Sequence, residues 1–319
     1  MIKPGLYSIT YLGVWYRGRA LTIEETIGRA KSYGYAGIEI DGKRPHGNPI
    51  DLTPARCREL RTRAGYAGIE IYAVAANNDF SSPIPEHREG QLAYVRDLVR
   101  MTKDLGAPVL RVFAGWPGVT LGPGRYEIAR RVWAVAHEPF AREQTWTWCR
   151  DGLVEASRWA ADAGVTLALQ NHPPVIENAG DMLRMIDEVG SPALKACYDA
   201  PLAKQQGVAD MRQALRDVGS RQVLSHFGGE YAQEKGAPAR GFVRQPEGLV
   251  PEDFYADFVR GLNDIGYDGY LGYELCHPLP QVNGEPAGLD FVDRNARLAA
   301  DYMRALLAAL SEQVRTATT

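Results

Sequence analysis

Four short apolar segments in the second half of the chain each end on a residue that can bind a divalent metal ion. Each segment has the length and composition of a buried strand, and each is followed by a loop and a helical pattern. In a barrel of parallel strands the C-terminal strand ends open onto one face, so the four side chains would converge there. The arrangement predicts an enzyme active site. The segments are residues 167–170, 195–199, 222–226 and 270–274, which end on Gln170, Asp199, His226 and Glu274.

The predicted ligand set contains two carboxylates, one imidazole and one amide oxygen, and each spacing fits one strand–helix repeat. Such a hard, mostly oxygen set favours Mn²⁺, with Mg²⁺ and Co²⁺ as alternatives. Any one of these residues could instead pair with a neighbouring arginine. The same position at the end of four successive strands favours a metal site. Cys276 follows Glu274 by two positions and would point to the same side, so it is a minor candidate ligand.

Composition indicates an ordinary globular protein. The chain has 319 residues, of which 45% are hydrophobic and 24% charged, and this length fits one α/β barrel or two domains. The net charge of -3 without a run of like charges argues against nucleic acid and anionic membranes as partners. No stretch reaches the ~18 apolar residues of a membrane span. The N-terminus lacks a signal-peptide pattern and the cysteines lack CxxC spacing, so we expect a cytoplasmic protein with reduced thiols.

Strand-like and helical patterns alternate along the whole chain. Thr22 with Glu25 forms a capping box at the start of the first helix. Eight such units without a Ser-, Pro- or Gly-rich linker predict a single (β/α)8 barrel domain over residues 1–319. The first four strands are predicted at 5–9, 36–41, 67–73 and 108–113, and helices at 87–105, 179–189, 208–217, 251–265 and 289–310.

Residues 114–144 form an insertion between strand four and its helix. A segment of about thirty residues without a strand or helix pattern is typical of a lid or a binding element in a compact domain. Because it follows the C-terminal end of a strand, we expect it on the same face as the predicted metal ligands.

With its ligands in this order, the chain resembles the xylose-isomerase-like superfamily of sugar isomerases and epimerases over nearly its whole length. In that family the ligands are Glu, Asp, His and Glu at the ends of strands five to eight, and the last three match Asp199, His226 and Glu274. Position 170 departs, and the resemblance implies that Gln170 binds through its side-chain oxygen. The ketose epimerases of the family use two metal-bound glutamates as acid and base, and a glutamine cannot carry a proton.

His172 is the candidate for the missing base. It follows Gln170 by two positions, so both would point to the same side of an extended chain. A neutral imidazole has a pKa near the working range of a general base. Glu274 would be the second proton carrier. Two alternatives remain, in which His172 only packs at the rim of the barrel or is itself a ligand.

Other polar and aromatic residues are predicted to surround the same face. The cluster Glu39, Asp41, Lys43, Arg44 and His46 follows strand two and could bind sugar hydroxyls or form a solvated loop. Aromatic residues after strands one and four suit the apolar face of a sugar or an aromatic group, although a subunit interface would look the same. The predicted substrate contacts are Glu39, His46, Arg111, Trp15, Trp116 and His277.

Within the family, residues 5–16 and the loop 43–49 are similar to the large subunits of bacterial C-glycoside deglycosidases. The resemblance implies a metal-dependent lyase that cleaves 3-oxo-C-glycosides, with an aromatic leaving group and with one base, His172, removing the proton next to the sugar carbonyl. It also implies that a small second subunit could complete a hetero-oligomer. The alternatives are a metal-dependent sugar isomerase or epimerase and a non-catalytic sugar-binding module.

Overall fold

Eight parallel strands form one sheet that curls into a barrel, in the chain order that the sequence predicts. The structure is a computed structural model that describes residues 1–122, 125–203, 208–245, 248–251 and 254–317. The barrel strands are β1 (Lys3–Tyr7), β2 (Gly37–Asp41), β3 (Glu70–Ala75), β4 (Val109–Val112), β5 (Thr166–Gln170), β6 (Leu194–Cys197), β7 (Ser225–Gly228) and β8 (Tyr270–Glu274).

The first and last barrel strands along the chain, β1 and β8, pair with each other. The ladder between β1 and β8 runs in parallel from Lys3 opposite Tyr270 to Leu6 opposite Tyr273. The order across the sheet is β6-β5-β4-β3-β2-β1-β8-β7. The predicted (β/α)8 barrel is therefore confirmed.

The join between β6 and β7 closes the barrel and differs from the other joins. One isolated bridge links Ala196 to Gln222, and the Val223 amide donates to the Ala196 carbonyl at 3.0 Å. Beyond it the Gln222 side chain both accepts from the Tyr198 amide and donates to the Tyr198 carbonyl, each at 3.0 Å. The Ser225 hydroxyl also donates to that carbonyl at 2.9 Å. Side chains thus replace the backbone ladder along this seam.

Helices lie outside the barrel and cover the sheet. The predicted capping box is present, since the Thr22 side chain accepts from the Glu25 amide while the Glu25 carboxylate accepts from the Thr22 amide. The helices are α1 (Ile23–Tyr33), α2 (Pro54–Ala67), α3 (Pro85–Leu105), α4 (Arg130–His137), α5 (Arg142–Ala163), α6 (Ala179–Val189), α7 (Ala200–Ala203), α8 (Val208–Val218), α9 (Phe254–Asp264) and α10 (Leu289–Ala317).

Some predicted boundaries are wrong by a few residues. The third strand begins at Glu70 rather than at 67, because α2 continues to Ala67 and Gly68 then turns the chain with a left-handed φ of 70°. The first strand ends at Tyr7, where a short 3₁₀ turn, Ser8–Tyr11, begins. Glycine at the C-cap has no Cβ to oppose the left-handed conformation, so it is well suited to end α2.

The insertion at 114–144 has regular structure. It contains an antiparallel pair of short strands, Val119–Gly122 and Arg125–Ile128, followed by α4. Trp133 of α4 donates from Nε1 to the Ser81 hydroxyl at 2.8 Å, and His137 Nε2 lies 2.8 Å from the Ser81 carbonyl oxygen. These contacts fix the insertion to the segment between β3 and α3.

Short antiparallel strands also follow β7 and β8. Three strands after β7 form a small sheet, and a two-stranded pair follows β8; they are Glu230–Ala232, Arg240–Gln245 and Gly248–Pro251, then Gln281–Val282 and Glu285–Pro286. All four cysteines are free. In the described parts of the chain, none of the helices is long and apolar enough to span a membrane.

Candidate active site

A cavity of about 460 Å³ opens at the C-terminal ends of the barrel strands. Val119 and Ile128 of the insertion form part of its wall, so the insertion lies on the face where the sequence predicts it. Most of the predicted site residues line this cavity: Trp15, Arg111, Trp116, Gln170, His172, Asp199, Glu274 and His277.

Asp199 is the centre of the predicted metal cluster. It is buried, two residues beyond the end of β6, and its backbone amide donates to the Asn171 side chain at 2.7 Å. Gln170 donates from Nε2 to Asp199 Oδ2 at 2.8 Å. Asp199 Oδ1 accepts from the His226 backbone amide at 2.7 Å and lies 3.0 Å from His226 Nδ1. Three of the four predicted ligands are therefore in direct contact.

His226 is completely buried between two carboxylates. Its Nε2 lies 2.8 Å from Glu39 Oε2, and its Nδ1 faces Asp199. Burial lowers the pKa of His226, but Glu39 and Asp199 outweigh burial and raise that pKa well above its usual range. A histidine that donates its second N–H to a carboxylate is the usual form of a metal ligand, and with Nε2 directed at Glu39 the atom left for such a role would be Nδ1.

Space for the His226 ring depends on a glycine in β8. A Cβ atom at Gly272 would lie 2.9 Å from His226 Cδ2 and 2.7 Å from the Tyr72 hydroxyl oxygen. Real Cβ atoms do not approach so closely, so any other residue at this position would force the His226 ring or the Tyr72 side chain to move.

Glu274 ends β8 and lines the same cavity. Burial and the nearby Asp199 carboxylate raise the pKa of Glu274 to about 7, against the lowering effect of His226 and Arg111. Burial also raises the pKa of the Cys276 thiol well above its usual range, and this thiol hydrogen-bonds to Glu274. A carboxyl group in this environment can both take up and release a proton near neutral pH.

The donor set fits a divalent cation. Ligand atoms of Cys197, Asp199 and His226 lie within 4.8 Å of one another. Burying the Glu39 and Asp199 carboxylates without a compensating cation is costly. The sequence does not predict Cys197 as a candidate, because the predicted strand ends two residues later, at Asp199. Cys276, the minor candidate ligand, contacts Glu274 rather than this group of three residues.

His172 lies in the aromatic part of the wall. Its Nδ1 is 2.6 Å from the Pro173 carbonyl oxygen, which can only accept, so Nδ1 carries the proton and Nε2 keeps its lone pair. The ring meets Phe113 and Trp116 edge-on, with centroids 5.0 and 4.8 Å away. Burial lowers the pKa of His172 to about 4, so the ring is neutral at physiological pH.

A second polar network comes from strands β1 to β4. Arg111 donates from Nη2 to the Tyr7 hydroxyl at 2.7 Å, and that hydroxyl donates to Asp41 Oδ2 at 2.8 Å. Asp41 Oδ1 accepts from the Asn77 side chain at 2.9 Å and from the Lys43 amide at 3.1 Å. Tyr7 and Asn77 line the cavity and were not predicted.

The family is decided by comparison with known proteins. A family model described as a xylose isomerase-like TIM barrel matches residues 27–304. The chain belongs to the xylose isomerase-like TIM barrel family. This confirms the predicted superfamily, whereas the resemblance to C-glycoside deglycosidases stays a prediction.

Relatives of this xylose isomerase-like chain include sugar epimerases. Fructoselysine 3-epimerase from Shigella flexneri is 25% identical over 298 residues, which are 90% of this chain and 94% of the relative. D-psicose 3-epimerase from Clostridium cellulolyticum H10 has a TM-score of 0.69 at 19% identity, covering 96% of this chain and 99% of that one. A 3-keto-D-glucoside 4-epimerase from E. coli has a TM-score of 0.65 at 19% identity, covering 94% and 98%. The two structural likenesses support the fold.

Two predicted substrate contacts of this xylose isomerase-like barrel lie outside the described wall of the cavity. Glu39 is completely buried, binds His226 and does not belong to the described wall of the cavity. His46 is buried as well, with Nδ1 3.0 Å from the Ser8 hydroxyl and Nε2 2.8 Å from the Leu21 carbonyl oxygen. Glu39 thus holds the His226 imidazole, and His46 holds the loop after β2.

His46 should make stability depend on pH. Burial lowers the pKa of His46, so the folded protein keeps it neutral while the unfolded chain, with a histidine pKa of about 6.5, takes up a proton. Stability is therefore lost as pH falls below about 6.5, by up to ~1.4 kcal/mol per pH unit. Urea unfolding at pH 7.5 and 5.5 should show a smaller loss for His46→Gln than for the parent protein. The exposed His87→Gln is the control, and equal losses in all three proteins would contradict the prediction.

Proposed function

We propose that this protein is a divalent-metal-dependent isomerase or epimerase of keto sugars, which moves a proton at the carbon next to the carbonyl group. The observation that carries the proposal is one cavity that holds the Gln170, Asp199 and Glu274 side chains together with His172. The names of the relatives, which are 3-epimerases and a 4-epimerase of sugars, support the same reaction class.

The metal would be held by the carboxylates of Asp199 and Glu274, Nδ1 of His226 and the side-chain oxygen of Gln170. Gln170 uses its nitrogen to bind Asp199, so its oxygen is left for the ion. This set suits Mn²⁺, with Mg²⁺ or Co²⁺ as alternatives. When bound, such an ion polarises a sugar carbonyl and lowers the cost of negative charge on its oxygen.

Glu274 and His172 carry the proton in this proposal. Glu274 is the acid of the pair: burial beside the Asp199 carboxylate favours its protonated form, which returns a proton to carbon. His172 is the base of the pair: its ring is neutral, and its Nε2 lone pair takes the proton from the opposite face of that carbon, on the aromatic side of the cavity. Phe113 and Trp116 surround that ring and exclude water. Two carriers are what inversion at one carbon requires.

A carbon–carbon lyase acting on 3-oxo-C-glycosides is the second candidate. The observation that favours it is Gln170, an amide where a second acidic proton carrier would be expected, in the same cavity as the stacked Phe113 and Trp116 rings, whose centroids are 5.2 Å apart. An elimination needs one base to begin, and an aromatic wall suits an aromatic leaving group. If the protein is such a lyase, we expect a small second subunit to complete a hetero-oligomer.

The direct test is turnover with and without metal. The protein stripped with a chelator and reloaded with Mn²⁺ is incubated in D₂O with D-psicose, D-fructose, L-ribulose and 3-oxo-glucosides that carry aromatic C- or O-linked groups. We expect a new epimer and deuterium at the carbon next to the carbonyl. Release of the aromatic group without epimerisation would support the lyase instead. Binding without exchange or cleavage would leave a sugar-binding module and contradict both enzyme proposals.

Gln170→Glu separates the two enzymes. The variant adds a negative charge to the ligand set, so we expect Mn²⁺ to bind at least as tightly. A keto-sugar epimerase gains a second acidic proton carrier, and its turnover of free ketoses should rise by about 10-fold or more. In a one-base lyase the extra anion would oppose charge on the substrate oxygen and cleavage should fall. Gln213→Glu, at an exposed position on α8, is the control for the added charge. A fall in epimerisation by Gln170→Glu would count against the epimerase.

A further inference from the structure

Arg111 carries hydrogen-bonding groups that no described residue satisfies. The residue is in β4 and its surface is 3% exposed. Its guanidinium carbon lies 4.3 Å from the centre of the Phe113 ring, and Nη2 donates to Tyr7. Nε and Nη1 are buried and have no hydrogen-bond partner in the described residues. The nearest carboxylate oxygen recorded for Nε, Glu39 Oε1, is 3.8 Å away and is itself without a partner.

Unsatisfied N–H groups on a buried cation are costly and rare in folded proteins. Arg111 lines the cavity, so an acceptor can reach it from the cavity rather than from the protein core. A substrate oxygen would satisfy the free N–H groups. The observed geometry therefore points to a ligand contact.

The position of β4 in the barrel says which end of the ligand would make this contact. Strand β4 is four strands from β8 around the ring, so Arg111 and Glu274 face the cavity from opposite sides. The predicted metal ligands come from β5 to β8, whereas the network of Tyr7, Asp41 and Arg111 comes from β1, β2 and β4. An oxygen that reaches Arg111 belongs to the part of the substrate on the side of the cavity opposite Glu274.

Charge indicates the chemical class of that oxygen. The Arg111 cation already lies beside the buried carboxylates of Glu39 and Asp41, both of which raise its pKa. Asp41 itself is saturated by Tyr7, Asn77 and the Lys43 amide. A neutral hydroxyl or carbonyl oxygen matches a cation that is already balanced, whereas a carboxylate would add an unbalanced charge.

We propose that Arg111 determines substrate specificity by donating from Nη1 and Nε to a neutral oxygen of the sugar, on the side of the cavity opposite Glu274. Tyr7 and Asp41 hold the guanidinium in place, and Phe113 packs on it. The inference rests on the proposed keto-sugar substrate. The inference adds that the sugar must bear an unmodified hydroxyl or carbonyl oxygen where it reaches Arg111.

The first part of the test uses the parent protein. Binding of D-fructose and of its 4-, 5- and 6-deoxy analogues to Mn²⁺-loaded protein is measured by calorimetry. A site built to donate to a particular oxygen rejects the analogue that lacks it, so one analogue should bind about 10-fold or more weakly than the others. Equal affinity for all the deoxy analogues would overturn the proposal.

The second part assigns that selectivity to Arg111. Arg111→Lys keeps the charge beside Glu39 and Asp41 but loses the planar fork. We expect weaker binding of D-fructose, unchanged affinity for the discriminating analogue and unchanged metal content. Arg212→Lys is the matched control, because Arg212 also has a buried Nε without a described partner and lies in α8. Unchanged selectivity in Arg111→Lys would overturn the assignment.

Tyr7→Phe tests the same contact in case Arg111→Lys does not fold. It removes the oxygen that fixes Arg111 Nη2 while keeping the ring, so selectivity between the analogues should shrink even if Arg111→Lys does not fold. Full selectivity in Tyr7→Phe would argue against the holding role. If the protein binds the analogues selectively but epimerises none of the sugars, the Arg111 inference stands and the proposed reaction is rejected. If it epimerises a sugar without such selectivity, the proposed reaction stands and the Arg111 inference is rejected. No binding by any sugar of the series would reject both.

Discussion

Asp199→Ala should remove bound divalent metal from the folded protein and lower turnover by about 10²-fold or more. Even partners that only orient a ligand typically contribute 10- to 100-fold to metal affinity or activity, so loss of a ligand should cost at least that much. Asp199 also accepts from Gln170 and from the His226 amide. Leaving these buried donors without an acceptor should lower the free energy of unfolding by about 1–3 kcal/mol. Elemental analysis after dialysis, turnover and urea unfolding measure the three effects.

A matched control for that substitution is Asp257→Ala. Asp257 is a partly exposed carboxylate on α9 that pairs with Arg212 and Arg260, away from the cavity. This variant should keep its metal and its turnover. Full metal occupancy in Asp199→Ala would remove Asp199 from the ligand set.

Glu274→Gln should keep metal bound and lower turnover by about 10²- to 10⁴-fold, the usual contribution of a general acid or base. The amide oxygen can still bind a divalent ion, as we propose for Gln170, but it cannot carry a proton at this position. Metal content and the rate of deuterium exchange into substrate measure the two effects separately. Loss of both together would make Glu274 chiefly a ligand.

The comparison variant for Glu274→Gln is Glu70→Gln. Glu70 begins β3 at the opposite end of the barrel, where it accepts from the Tyr270 hydroxyl at 2.6 Å. Its substitution should leave exchange unchanged. A similar fall in both variants would indicate a general loss of stability and would contradict the catalytic role of Glu274.

The strands and the predicted ligands could be read from sequence because both depend on local pattern. Each barrel strand is a short apolar run, and side chains at the C-terminal strand ends must meet at one face whatever the details of packing. The direct contact of Gln170, Asp199 and His226 follows from that geometry. The same reasoning misses Tyr7 and Asn77, because the sequence places the ends of strands one and three at 9 and 73, whereas these strands end at Tyr7 and Ala75.

Depth within the barrel explains why Glu39 and His46 lie outside the cavity wall. Alternation along a strand predicts which side chains point inward but not how deep they lie. Glu39 comes two residues before Asp41, the end of the strand, so it lies a layer below the cavity and meets His226 instead of substrate. His46 is in a loop that folds back, with the Gly47 amide donating to the Asp41 carbonyl at 2.7 Å, and the turn buries the imidazole.

The insertion shows a third limit of the sequence. Residues 114–144 lack a clear period, yet the structure contains a strand pair and α4 there. Single polar contacts from Trp133 and His137 to Ser81 fix its position, and contacts of that kind leave no periodic pattern. Its place on the cavity face could be predicted, because that depends only on the direction of β4.

The seam between β6 and β7 makes closure of the barrel and assembly of the site one event. Its backbone ladder is reduced to the Ala196–Gln222 bridge, and the contacts beyond it come from side chains, including those from Asp199 to His226. Local opening needs least disruption where few backbone bonds must break. We therefore expect amide hydrogens along this seam to exchange with solvent ahead of those in the β1–β8 ladder. Each such opening would separate Asp199 from His226, so the fraction of time the barrel is closed limits the fraction of time it is active.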